Sequence, residues 1–209
     1  MRKLIPSLCA LIILLTACGP SYEEQAAKKL AARYGEPFTI LELYPPKFGS
    51  GYYEVKACPT ESPDLIFDAA IDLHDNNFSD EYIACIMGHE IAELLRSELP
   101  EDLNCHVFGE ITTPKPVWHS KDITLEEYMQ FYPEPWVRLL VFVEDIDNVE
   151  DTVRSFLGRN SDWKIWCTIY EVTDEKLEEI KEYFKIEDTL GFDLKMELEI
   201  NGTFLEIPE

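Results

Sequence analysis

Apolar and polar positions alternate along this chain with two periods, and the switches between them mark its elements. Ala27, Leu30, Ala31 and Tyr34 recur at helical spacing behind a Ser21/Glu24 capping-box pattern and stop at Gly35. Three strands are expected next, over Phe38–Leu43, Tyr52–Ala57 and Leu65–Leu73, separated by Pro45-Pro46 and by the proline-bearing segment 58–64. In the third, Leu65, Phe67, Ala69, Ile71 and Leu73 alternate with positions that include Asp68 and Asp72, so one face packs and the other meets water. A second helix is expected after Ser79, with Asp80 and Glu81 in its first turn and Ile83, Ile86, Met87, Ile91 and Leu94 as its apolar side. A strand over Cys105–Ile111 closes this part.

Residues 112–123 carry Pro114 and Pro116 and little periodicity, and read as a connection. Beyond them Thr124 and Glu127 open a capped helix that stops before Pro133. Trp136–Val143 is apolar except for Arg138, as expected of a strand buried on both faces. A helix near Val149–Leu157, a strand Lys164–Val172 and a helix from Thr173 to about Phe184 follow. Phe192–Ile200 then shows the cleanest period-2 alternation in the chain, and Asn201-Gly202 reads as a hairpin turn into Thr203–Ile207. The sum is an α+β fold, two-layered, with mainly antiparallel sheet covered by helices in two similar-sized halves, 22–112 and 113–209. Periodicity does not choose between one continuous sheet and two lobes.

The first 17 residues have a different order: Arg2 and Lys3, an apolar run from Leu4 to Leu15, then small residues before Cys18. That is the order of a signal peptide, and the run is shorter than the roughly 20 residues a lasting span needs. Leu15-Thr16-Ala17-Cys18 resembles the lipobox of bacterial lipoprotein precursors. The resemblance implies cleavage after residue 17, a diacylglyceryl group on the sulfur of Cys18, and a short lipidated tether over residues 18–21. It implies residence on the outer face of the cytoplasmic membrane, or in an outer membrane facing the periplasm if the source has one. Two acyl chains suffice for stable anchoring.

Charge narrows the partners. The chain has 41 acidic and 18 basic residues, a net charge of -23, and loss of Arg2 and Lys3 with the leader makes it about -25. Such a surface is repelled by phosphate backbones, so nucleic acid is not an expected partner. A hydrophobic fraction of 46% suits a packed globular protein.

Candidate chemistry is sparse. His89-Glu90-Ile91-Ala92-Glu93 resembles the H-E-x-x-H zinc motif with its last histidine replaced by glutamate. His89 and Glu93, four apart on a helix, are candidate metal ligands, with Glu90 as a base and Cys85 one turn earlier. Against this, no third ligand matches, and the 85–89–93 stripe is expected to lie on a solvated face away from the core. Cys105-His106 fails as a nucleophile–base pair, because neighbours in a strand point to opposite faces. Nothing local ties Cys105 to His74 or His119.

Cys58, Cys85, Cys105 and Cys167 contain no C-x-x-C pair, and their spacing leaves disulfides and buried thiols equally open. The acidic runs 175–182 and 193–199 lack calcium-loop spacing. Asn77-Phe78-Ser79 reads as a helix cap. No phosphate loop, nucleotide turn or nucleophile elbow is present, and no cofactor is expected. Tyr52, Tyr53, Trp136, Trp163 and Trp166 are assigned mostly to the core, while Trp118 and Phe131-Tyr132-Pro133, in loops near the junction of the halves, are the lesser candidates for a surface that recognises peptide or glycan. The leading expectation is a non-catalytic membrane-anchored lipoprotein that binds another protein at the cell surface. Its general layout resembles small uncharacterised lipoproteins of Gram-positive bacteria. A metal-dependent hydrolase using His89, Glu90 and Glu93, and a small-solute-binding lipoprotein, are the rival expectations.

Overall fold

The computed structural model describes residues 20–47, 51–72, 78–112, 120–132, 135–186 and 204–207. Helix α1 (Tyr22–Tyr34) begins at the expected capping box, in which the Ser21 hydroxyl accepts from the Glu24 amide at 3.2 Å and the Glu24 carboxylate accepts from the Ser21 amide at 3.1 Å. It ends at Gly35, whose φ of 75° is the left-handed conformation that lets its N–H turn back to the Ala31 carbonyl. Strands β1 (Phe38–Tyr44), β2 (Tyr53–Pro59), β3 (Phe67–Ile71) and β4 (Phe78–Asp80) form an antiparallel sheet in chain order. Helix α2 (Tyr82–Glu98) follows.

Two local expectations fail here. Ser79 and Asp80 belong to β4, paired with Ala70 and Ala69, and not to a helix cap or first turn. The helix starts later, without a side-chain cap at Glu81, and the Asp80 carboxylate accepts the Tyr82 amide at 3.1 Å instead. Burying the strand pair with β3 outweighs the local capping preference of Ser and Asp.

Strand β5 (Cys105–Thr112) does not close the first half. It pairs antiparallel with β6 (Trp136–Val143) and opens a second sheet, completed by β7 (Lys164–Glu171) and β8 (Phe204–Ile207) in the order β5-β6-β7-β8. Between β5 and β6 lies α3 (Leu125–Phe131), opened by the Thr124/Glu127 capping box. β6 and β7 run parallel, which requires a crossover, and α4 (Glu150–Arg159) supplies it. Helix α5 (Asp174–Ile186) follows β7. The strand expected over Phe192–Ile200, its hairpin turn and the 193–199 run lie outside the described residues, as do Cys18 and the whole leader.

The fold is α+β, with two mainly antiparallel sheets and helices packed on them. One hydrophobic core runs through both sheets: Phe67 and Ile71 of the first, Met87, Ile91 and Leu95 of α2, and Leu139, Val141 and Ile169 of the second belong to it. On the far side of the second sheet α5 lays Leu177 and Ile180 over Leu140, Phe142 and Tyr170, forming a smaller core. β6 is therefore buried on both faces over most of its length, but Trp136 at its start is 69% exposed and Arg138 is half-buried.

Candidate functional site

The site is built on α2. Its buried side holds Ile83, Met87 and Ile91 as expected, and with Tyr82, Ala84, Gly88, Ala92 and Leu95 it is rotated part-way from the expected stripe, leaving Leu94 exposed. The rotation is set by β5. A Cβ on Gly88 would lie 2.5 Å from the Gly109 carbonyl oxygen, so helix and strand backbones touch where both side chains are missing. This contact brings the Cys85–His89–Glu93 stripe beside β5, where Cys85 is half-buried while His89 and Glu93 stay exposed, as expected of a solvated face.

A cavity of about 460 Å³ opens there. One wall is α2 with Glu81 just before it, along Glu81, Cys85, His89, Glu93 and Arg96. The opposite wall is β5, and all eight of its residues contribute. A cavity lying on one sheet face would touch alternate residues only, so consecutive lining means that it runs along the strand's outer side, reaching both faces. Asp64–Phe67 close one side, and Glu178 and Lys181 of α5 reach in from the other.

Electrostatics inside the groove are uneven. Arg96 is committed to main-chain carbonyls, donating to Pro100, Glu101 and Leu103 at 3.1, 3.5 and 3.2 Å. Lys181 is held by the Glu178 carboxylate at 2.7 Å and the Asn104 side-chain carbonyl at 3.3 Å. Burial, helped by Lys181 and His89, pushes His106 down to about 4, so its imidazole is neutral at pH 7. Asp64 and Glu93 make no hydrogen bond or ion pair among the described residues.

The structure separates the residues singled out in the sequence. His89, Glu90 and Glu93 are all exposed, and of the three only His89 and Glu93 line the groove. Among the described residues no three His, Cys, Asp or Glu side chains converge enough to hold a metal ion. Cys105 packs against the main core while His106 stacks on Phe142 on the opposite face, as the alternation of a strand demands. Burial raises the Cys105 thiol against the pull of Arg96 and Lys181, and pushes Cys167 up to about 12, so neither favours the nucleophilic thiolate. No disulfide joins the four described cysteines.

Among the aromatics, Phe131 is exposed and Tyr132 buried, and Trp118, His74 and His119 lie outside the described residues. Trp136, Trp166 and Tyr52, assigned to the core from sequence, are exposed. Sequence reasoning missed β5, Asp64 and Lys181 as parts of the site. The available signal was a glycine inside a helix and another inside a strand, each a mark of close backbone approach.

No protein-family model matches the chain, and no curated protein matches its sequence. Among solved structures it is similar to a DUF5037 family protein from Ruminococcus gnavus ATCC 29149, with a TM-score of 0.62 and 18% identity over 89% of this chain and 90% of that one. At that identity the likeness shows the fold.

Proposed function

We propose that this chain is a membrane-anchored, extracytoplasmic lipoprotein that binds another protein through the groove between α2 and β5, without catalysis. The observation that carries the binding half is the groove itself: a helix stripe of Cys85, His89 and Glu93 that faces a cavity of ligand size. Thiols raised by burial and a histidine pushed down to about 4 support recognition over acyl-transfer chemistry.

The leader and the lipobox-like Leu15-Thr16-Ala17-Cys18 carry the anchoring half. Cys18 stands three residues from Ser21, a reach of about 10 Å, so a lipid there holds the start of α1 next to the bilayer. Tyr22 at that start packs on Tyr53 with ring centroids 4.9 Å apart. The neighbouring end of the β1–β2 hairpin carries exposed Tyr44 and Tyr52, whose amphipathic rings suit a headgroup layer.

Intact mass of protein extracted from its own membrane tests the anchor. The expected species begins at Cys18 and carries a diacylglyceryl group; a chain with its leader intact, or cut elsewhere without lipid, would refute it. Thermal shift against candidate ligands tests the groove: stabilisation of the wild type should vanish in His89→Trp, which fills the cavity from an exposed position.

A further inference from the structure

The dimensions of the groove point to the form of its ligand. From Glu81 to Arg96 its helical wall spans fifteen residue steps, roughly 22 Å at 1.5 Å per residue. The facing wall is the full length of β5, the last strand of its sheet among the described residues. A volume of about 460 Å³ spread over that length is narrow. It suits an extended chain of about six residues at 3.3 Å each, not a compact solute.

Charge points to its chemistry. Both lining cations are committed, Arg96 to the carbonyls that follow α2 and Lys181 to Glu178 and Asn104. Exposed Asp64 and Glu93 stand along the groove without a cation among the described residues. They lie in a molecule of net charge -23, whose field concentrates cations in a cleft. Ile66, Val107 and Ile111 offer apolar surface between the charged positions.

Resting on the reading of this chain as a binding protein, we propose that the groove holds an extended basic segment of a partner polypeptide. Its Lys or Arg side chains meet Glu93 and Asp64, and its alternate apolar residues lie against Ile66, Val107 and Ile111. Its main chain runs beside β5.

The test is fluorescence anisotropy with a labelled Lys-Val-Lys-Val-Lys-Val peptide, its Glu-Val counterpart and labelled lysinamide, against full-length protein at low and moderate salt. The lysine peptide should bind, the other two should not. The double substitution Glu93→Gln, Asp64→Asn should weaken binding about tenfold or more, with melting unchanged. The double substitution Glu126→Gln, Asp151→Asn removes the same charge from exposed positions of α3 and α4 and should change it less than about twofold.

Equal losses in the two double variants would overturn the assignment, since only net charge would be at work. Lysinamide binding as tightly as the peptide would overturn the extended segment. No binding of the lysine peptide would overturn the basic ligand. If thermal-shift ligands still stabilise the wild type and not His89→Trp, the groove remains a binding site with another ligand; if they do not, the binding reading falls too.

Discussion

Asp80 is the most consequential polar residue of the first sheet. Its side chain is 3% exposed and accepts from the Tyr34 hydroxyl at 2.6 Å, the Arg33 guanidinium at 3.0 Å and the Tyr82 amide at 3.1 Å. One side chain thus ties α1 to the start of α2, and burial beside it raises the Tyr34 hydroxyl far above its ordinary range. Removing one partner from a buried charged network costs about 3 to 5 kcal/mol, so Asp80→Ala should lower the urea midpoint strongly. Asp80→Asn, which keeps an acceptor, should cost less. His106 gives a residue-level pH signature. Its folded value of about 4 lies below the unfolded 6.5, so the unfolded chain takes up a proton first as pH falls. Its contribution is present above pH 6.5 and is lost progressively toward pH 4, on the order of 3 kcal/mol in all. Denaturation of His106→Phe across that window should show a shallower pH slope than the wild type, with no difference in slope above pH 7.

Among the elements, the α2–β5 contact decides whether there is a groove. Gly88→Ala drives a Cβ into the Gly109 carbonyl, which is backbone and cannot swing aside, and should destabilise by about 1 to 3 kcal/mol or more. Gly158→Ala, in α4 with open space around it, should stabilise by up to about 1 kcal/mol; chemical denaturation of both variants checks the opposite signs. Elements governed by local chemistry were legible in the sequence. The capping boxes at Ser21 and Thr124 and the stop at Gly35 are satisfied within a few residues, and each lies where the pattern puts it. What depends on distant partners was not. β5 reads as a strand from its own residues, but nothing in Cys105–Thr112 says that Val137–Val143 and not the first sheet will pair with it. β4 is only three residues long, too short for an alternation to outvote the capping look of Ser79 and Asp80. The Cys85–His89–Glu93 stripe was recognised as polar, and its place in a groove depends on Gly109 and Lys181, which lie on other elements.

At the scale of the molecule, the two halves expected from sequence meet in one core, since α2 packs residues toward both sheets. Thermal unfolding should therefore be a single transition, with far-UV circular dichroism and tryptophan fluorescence giving the same midpoint. Trp136, Trp163 and Trp166 report on the second sheet and its approach, so separate midpoints would show that the halves unfold independently. A continuous core also gives the groove rigid walls, because α2, β3 and β5 cannot move apart without opening the interior. The claim on which the functional account turns is that this groove engages a partner at the membrane. It is tested most directly by placing a compact diazirine side chain, close to histidine in size so that it leaves the groove open, at position 89 in the cells that make the protein, with exposed position 158 on α4 as the control. A covalent adduct to one polypeptide should form from position 89, in the membrane fraction, and none from 158. No adduct from 89, or equal adducts from both positions, would contradict it.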